Sequence, residues 1–365
     1  MVRPGGCQSF TVTPTPTHHS DDSQPITVRR LLPTSPHDVR LTADFETASI
    51  EEAYGAVERR TEEQQRTSMS STPYWDVRHY GAFLPAADGP EVMAGILQLQ
   101  VPLNENLDMV HFTLETLQPY RGRGVARRLV EQLELDRQEL GRPRLTVYGT
   151  VADVEQDVDD PDLPINRIAR RLGLTRRNVA VARYLDLPVP KEVLAAMEAE
   201  AAPRLGGYQI LVWHGFPPQE HWLRYGALLT QLDFDEPDED VDLEPQHYDE
   251  ERIRVAFERR AASGIVPIIA VAVAPDGSLV AHSELEYRDN PGTTLVWQEN
   301  TLVMPGHRGH RLGLALKAAT HRKLNEVAPQ MRRCLTWNSH VNDHMIGINE
   351  KMGYRVLLRE VAFQN

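Results

Sequence analysis

Two short segments carry the chemistry most legible in this chain. Arg121-Gly122-Arg123-Gly124-Val125-Ala126 has a variant about half a chain later, Arg308-Gly309-His310-Arg311-Leu312-Gly313. Each follows an apolar run and opens an amphipathic helix. The first turn of a helix presents amide N–H groups without intrahelical partners and the positive end of the helix dipole. Together these bind anions such as phosphate. Glycines let the backbone approach the ligand and take the dihedrals required, and Arg121 and Arg123 add positive charge. The pattern suits a pyrophosphate. An ordinary turn before a helix is the competing reading, and the recurrence in the same strand-to-helix setting weighs against it. Neither the P-loop pattern nor the G-x-G-x-x-G dinucleotide pattern is present.

Other groups could do acid–base work. Glu115 and Glu299 lie on the strands before the two loops, where alternation puts each on one face only. Which face opens to a cleft is not readable, and an exposed strand carboxylate is the plainer reading. His111 is either a base or a polar residue on a half-exposed strand. His307 and His310 flank the second loop and could donate to phosphate; their spacing does not suit a metal, and no metal is expected. Asn338 and Asn342 could bond amides of a ligand or cap the next helix. Acidic residues at 153–162 could steer a cationic amine or form a solvated loop.

These groups need elements to hold them. Residues 1–25 are rich in Thr, Pro, Ser and His and read as a disordered tail. From Ile26 to Leu187 the pattern gives a strand, helical stretches at 36–54 and 56–68, strands at 75–84, 92–103 and 107–117, a helix at 122–140, a strand at 144–151, a helix at 165–172 and a closing strand at 178–187. Residues 188–206 hold a linker helix. The order then repeats over 207–365: a strand at 208–213, a helix at 248–263, strands at 266–274, 278–287 and 293–304, a helix at 312–326, a strand at 335–337, a helix at 345–352 and a last strand at 356–363. An acidic segment at 233–244 reads as a solvated loop. A second landmark keeps the spacing: Arg171-Leu172-Gly173-Leu174 corresponds to Lys351-Met352-Gly353-Tyr354. The fold class is α+β, two tandem units, each a mostly antiparallel mixed sheet flanked by helices.

Composition sets limits. The chain has 365 residues, 41% of them hydrophobic, and a net charge of −13. That balance argues against sequence-independent nucleic-acid binding, which needs a basic surface. Two cysteines build neither a disulfide framework nor a metal site, which points to a reducing cytoplasm. No apolar run is long enough for a membrane span, and no signal peptide is read.

The loops, together with Thr336-Trp337-Asn338, Asn342, Met345, Asn349 and Gly353, resemble those of tandem members of the GNAT superfamily, the acyl-CoA-dependent N-acyltransferases. Arg121, Gly124 and Ala126 match that family's Q/R-x-x-G-x-G/A loop fully. Arg308 and Gly313 match it in the second copy, where Arg311 replaces the central glycine. The resemblance implies a sheet splayed between its fourth and fifth strands, with pantetheine in the splay and pyrophosphate at the loop. Its implied cosubstrate site comprises Arg121, Gly122, Arg123, Gly124, Val125 and Ala126 in the first unit. In the second it comprises Val303, Arg308, Gly309, His310, Arg311, Leu312, Gly313, Asn338 and Asn342. It implies transfer of an acetyl or other short acyl group from acyl-CoA to an amine of a small molecule. A thioester hydrolase or decarboxylase, or a non-catalytic CoA-binding protein, is the alternative. The family's tyrosine near the leaving thiolate is replaced by Asn349 in the second unit and by Ile168 or Ala169 in the first. The expected catalytic carboxylates are Glu299 and Glu115, with the chemistry in the second unit, which has the fuller signature after its fifth strand.

Overall fold

A computed structural model describes residues 25–85, 89–235, 241–339 and 342–365. Nearly all of the expected tail, and the middle of the acidic segment at 233–244, lie outside the described residues. The first half runs β1 (Thr27–Leu31), α1 (Pro36–Tyr54), α2 (Glu62–Met69), β2 (Trp75–Leu84), β3 (Val92–Pro102), β4 (Met109–Thr116), α3 (Val125–Leu140), β5 (Arg144–Val151), α4 (Pro164–Leu172) and β6 (Thr175–Asp186). A helix α5 (Lys191–Ala201) follows. The second half runs β7 (Gln209–His214), α6 (Trp222–Asp235), α7 (Glu250–Ala262), β8 (Ile265–Val273), β9 (Leu279–Arg288), β10 (Leu295–Val303), α8 (Leu312–Val327), β11 (Arg333–Ser339), α9 (Asp343–Met352) and β12 (Arg355–Gln364). The two halves repeat one α+β plan, as the sequence pattern implies.

Local chemistry sets many boundaries. Ser35 caps α1 by accepting from the Asp38 amide. Thr61 and Gln64 form a reciprocal capping box on α2. Asp249 caps α7. Helix α6 is the element missed in the sequence reading. Its apolar positions Trp222, Tyr225, Leu228, Leu229 and Leu232 follow helical spacing and pack into one cluster with Phe257.

All twelve described strands join one sheet, in the order β1-β2-β3-β4-β5-β12-β6-β11-β10-β9-β8-β7. That order is symmetric about the β12–β6 pair, so the duplication survives as an internal two-fold relation. The closing strands are exchanged. β12, the last of the chain, pairs antiparallel with β5 of the first half, from Arg359↔Val151 to Gln364↔Thr146. β6 pairs with β11, from Arg333↔Asp186 to Ser339↔Ala180. The strand 178–187, taken as closing the first unit, is therefore shared with the second. Local alternation fixes which strands exist, but the pairing partner is a non-local choice that a strand's own pattern does not encode.

Helices α3 and α4 pack on one face of the first half, where Leu97, Val110, Leu129, Val147 and Ile165 share a core. Helix α5 packs against α8 and α9, with Leu194 and Met197 in the core that contains Leu314 and Ile348. Helices α1 and α2 cover the opposite face of the first half, through Val39, Phe45, Met69 and Ile96. The candidate site lies on this second face.

Candidate functional site

The two loops follow the same backbone path. Gly124 precedes α3 with φ 87° and Gly122 has φ 77°. In the second copy Gly309 has φ 84°, and Arg311 takes the left-handed cap with φ 58°. A side chain in that region costs roughly 1 kcal/mol, so the replacement keeps the path at the expense of strain. The anchoring arginines also correspond: Arg121 Nε donates to the Thr116 carbonyl at 3.0 Å and Arg308 Nε to the Val303 carbonyl at 3.2 Å. Surroundings differ. In the first loop Arg121 pairs with Glu52 of α1 while Arg123 is exposed; a Cβ on Gly122 or on Gly309 would meet nothing within 4 Å. The second loop is wrapped by the α5 region: His310 Nδ1 lies 3.1 Å from the Arg204 carbonyl, His307 Nδ1 2.8 Å from the Tyr208 hydroxyl, and Arg311 pairs with Glu200. Leu312 and Gly313 are buried at the start of α8.

Behind each loop the fourth and fifth strands part. β4 and β5 pair in parallel only from Met109↔Arg144 to Phe112↔Val147, yet run on to Thr116 and Val151. β10 and β11 pair only from Leu295↔Arg333 to Trp297↔Leu335. Each half therefore opens a wedge ending at its loop.

In the second half the wedge face is filled. Trp297 and Trp337 stack at 5.6 Å, and Tyr54 from the end of α1 meets both edge-on at 5.8 and 5.9 Å. Trp297 Nε1 donates to Glu58 at 2.8 Å, and Glu58 pairs with Arg60 and Arg288. Burial would raise the Glu58 carboxyl, but Arg288 and Arg60 hold it below its ordinary value. Farther along the same face, the Tyr225 hydroxyl donates to Glu284 at 2.8 Å, and Arg260 pairs with Glu284 and Glu286. The charged groups named there pair with one another.

The corresponding face of the first half is polar and open. Strand alternation puts His79, Gln98, Gln100, His111, Thr113 and Glu115 on it, with His79 opposite Gln98 and Gln100 opposite His111. A cavity of about 270 Å³ lies between this face and α1–α2, bounded by Glu46, Arg60, His79, Gln98 and Glu115. Glu115 accepts from the Ser49 hydroxyl. Burial pushes its carboxyl above the ordinary range; the Ser49 bond opposes this, and Glu46 and Glu52 add to it. His79 is 5% exposed and has no hydrogen-bond partner among the described residues. Burial lowers its pKa to about 4, so the ring is neutral.

A second cavity, of about 350 Å³, shares Gln98 and Gln100 with the first. Trp75, His111 and Tyr148 line one side, and Leu243, Glu244 and Pro245 from the α6–α7 connection line the other. His111 lies 5.9 Å from Trp75, its pKa lowered to about 4 by burial and by Arg144. The reciprocal connection, between α1 and α2, lies over the wedge of the second half. There the Val57 and Arg59 amides donate to the hydroxyls of Thr294 and Thr293. Each half thus roofs the wedge of the other.

The expected residues fall into two groups. Glu115 lies half-buried in the first cavity, whereas Glu299 is exposed at an irregular register step in β10. Asn338 accepts from Asn349 Nδ2 at 2.6 Å, and Asn349 accepts from the buried Lys317 ammonium at 2.6 Å. Asn342 caps α9, accepting from the Met345 amide at 3.2 Å. The acidic stretch 153–162 is ordered by successive turns in which Asp153, Asp157 and Asp160 each accept from the amide two residues on. His79, Gln98, Gln100, Trp75 and Tyr148 were missed. For His79, Gln98 and Gln100 the signal was present as polar residues at alternate strand positions; Trp75 and Tyr148 gave none. Among the described residues no helix is long and apolar enough to cross a membrane, and no group of three metal-ligating side chains is found.

No protein-family model matches the chain, and no curated protein does. Solved structures do. A tandem GNAT protein from the clavulanic acid biosynthesis pathway superposes with a TM-score of 0.70 at 20% identity, over 93% of this chain and 98% of that one. A GCN5-related N-acetyltransferase from Sphaerobacter thermophilus gives 0.56 at 15%, over 94% and 96%. Saccharomyces cerevisiae N-myristoyltransferase, solved with bound myristoyl-CoA, gives 0.54 at 10%, over 94% and 84%. At these identities the likeness establishes architecture: the chain has the tandem GNAT fold.

Proposed function

We propose that this tandem GNAT-fold chain is an acyltransferase that uses its first wedge to move an acetyl or other short acyl group from acyl-CoA to a primary amine of a small molecule. The observation that carries this reading is the contrast between the wedges. The first keeps a cavity beside a half-buried carboxyl group, and the second is packed with Trp297, Trp337 and Tyr54.

The first loop fits the anionic end of such a cosubstrate. Residues 125–127 begin α3 with amides that lack intrahelical partners, Gly124 adds no side chain, and Arg123 and Arg127 are exposed beside them. Residues 113–116 and 148–151 pair with β3 and β12 on their outer sides but not with each other, which leaves the main-chain groups on their facing edges for an extended arm. When bound, a thioester supplies an activated acyl carbon and a thiolate leaving group. Glu115 would take the proton from the incoming ammonium, directly or through water; its raised pKa brings it nearer the working pH of a general base. The second loop, with Val303, Asn338 and Asn342, is read as structural, because Asn338 and Asn342 are already engaged within the fold. This departs from the sequence-based expectation of chemistry in the second unit.

The test is time-resolved mass spectrometry of acetyl-CoA with and without a panel of primary amines. A new amide supports the reading. Free CoA without an amide indicates a hydrolase, and no turnover across the panel a binding protein; either result overturns it.

A further inference from the structure

We propose that the acceptor is a molecule with a primary ammonium at one end and an uncharged, ring-bearing body, held in a two-chamber site that residues 241–246 of the second half complete. The inference rests on the acyl-transfer reading for the chemistry at the ammonium, while the site itself is argued from the chambers.

The first chamber is acidic where the ligand would sit. Arg60 already pairs with Glu46 and Glu58. Among the described residues Glu115 has the Ser49 hydroxyl but no cationic partner. An ammonium entering here meets a half-buried carboxyl group and gains it as a partner, whereas an anion would face Glu115 and Glu46 together. Charge desolvated without a partner is costly, so the chamber selects by sign. His79 supplies the second observation. Its neutral ring borders the cavity with no hydrogen-bond partner among the described residues, and a buried imidazole gains by meeting a hydroxyl or amide of a ligand.

The second chamber is different in kind. Trp75 and Tyr148 offer ring faces, Leu243 and Pro245 offer apolar wall, and Gln98, Gln100 and Gln246 offer neutral amides. Its one carboxylate, Glu244, is committed to the Asn106 amide at 2.8 Å. No cation lines it. An aromatic or other flat uncharged ring packs on such faces, and a second charge would have nothing to pair with. Gln98 and Gln100 border both chambers, so one ligand can occupy both with its amine toward Glu115.

Residues 241–246 are fixed in place. Asp242 pairs with Arg144 at 2.8 Å, and its amide donates to Gln364 at 2.9 Å. These residues form a wall of the site and set which bodies fit.

The experiment is calorimetric titration of the full-length protein, without acyl-CoA, with tyramine, methylamine and 3-(4-hydroxyphenyl)propionate. Tyramine has the charge and the ring, methylamine only the charge, and the propionate a ring with the opposite charge. Tyramine should bind at least tenfold more tightly than either. Leu243→Trp, which fills the second chamber from a partly exposed position, should weaken tyramine tenfold or more and leave acetyl-CoA affinity unchanged. Tyr148→Ala should likewise weaken tyramine tenfold or more, which guards against a local misfold in one variant. Equal binding of the propionate, no binding of tyramine, or full tyramine affinity in both variants with unchanged melting temperature overturns the proposal. Amide formation with amines of any body, indifferent to Leu243→Trp, would leave acyl transfer standing and remove the two-chamber site. Tyramine binding as described without any amide would do the reverse.

Discussion

Asn106 and Glu244 are joined by three hydrogen bonds that tie the two halves together. The Asn106 amide donates to Glu244 Oε2 at 2.8 Å, Asn106 Nδ2 to the Glu244 carbonyl at 3.1 Å, and the Glu244 amide to Asn106 Oδ1 at 2.8 Å. Asn106 is 7% exposed and has φ 52°, a region asparagine tolerates better than most residues. Asn106→Ala removes two of the bonds and keeps the strain, a loss of roughly 1–3 kcal/mol. Because the contact fixes one wall of the second chamber, the variant should show a several-fold higher KM for the amine, a nearly unchanged KM for acyl-CoA, and faster proteolysis within 241–249. Steady-state kinetics and limited proteolysis read all three; a rise in the acyl-CoA KM alone would place the wall elsewhere.

Glu115 and Glu299 make the sharpest pair of variants. Glu115→Gln should lower turnover on the order of a hundredfold or more, the usual scale for a general base, with acyl-CoA affinity little changed. Glu299→Gln, on an exposed stretch of β10, should retain most of the activity. The Glu115 carboxyl lies above its ordinary range, chiefly through burial. A base works deprotonated, so kcat/KM should rise with pH through an inflection above the normal carboxylate value, and Glu115→Gln should abolish that inflection. Activity lost in Glu299→Gln and kept in Glu115→Gln would move the chemistry to the second wedge.

Much of the fold was written locally. The strand and helix alternation, the loop before α3 and its copy before α8 all follow from periodicity and from glycine placement. Glu115 could be placed on β4, but its face could not, because that depends on α1 and α2 folding back over the sheet. The stacking of Trp297 on Trp337 beneath Tyr54 was out of reach for the same reason: Tyr54 comes from the other half of the chain. The exchange of β6 and β12 was hidden too. Val361, for example, pairs with both Val179 and Gly149, and no local pattern distinguishes those neighbours from β11.

Glu360 on the exchanged strand gives a pH-dependent stability. Burial raises its pKa to about 7. A carboxyl with a raised pKa in the folded state favours folding when protonated. That contribution is fully present below its unfolded value of about 4.5, declines as pH rises and is gone above about 7. It amounts to at most about 3 kcal/mol, less where water reaches the group. Glu360→Gln should therefore melt higher than the parent at pH 8 and close to it at pH 4.5. Scanning calorimetry at the two pH values checks this, and an equal difference at both would mean that the carboxylate has a partner when ionised.

The loops can be told apart by exchanging their demands. Gly124 holds φ 87°, and a Cβ there would come no closer than 3.7 Å to Ile26 Cδ1, so a substitution meets strain and no clash. Gly124→Ala should cost roughly 1 kcal/mol of stability and keep acetyl-CoA affinity within a few-fold. Gly124→Asp adds the same strain plus a negative charge where the pyrophosphate would sit, and should abolish binding in a titration. Arg311→Gly removes left-handed strain at the second loop. It also removes the ion pair with Glu200 at 3.3 Å, whose partners are 44% and 34% exposed, and such a pair contributes less than about 1 kcal/mol. That variant should melt at the parental temperature or slightly above, with cosubstrate stoichiometry and affinity unchanged. Stoichiometry that survives Gly124→Asp but responds to Arg311→Gly would mean that the second loop, strained residue included, is the one that holds the cosubstrate.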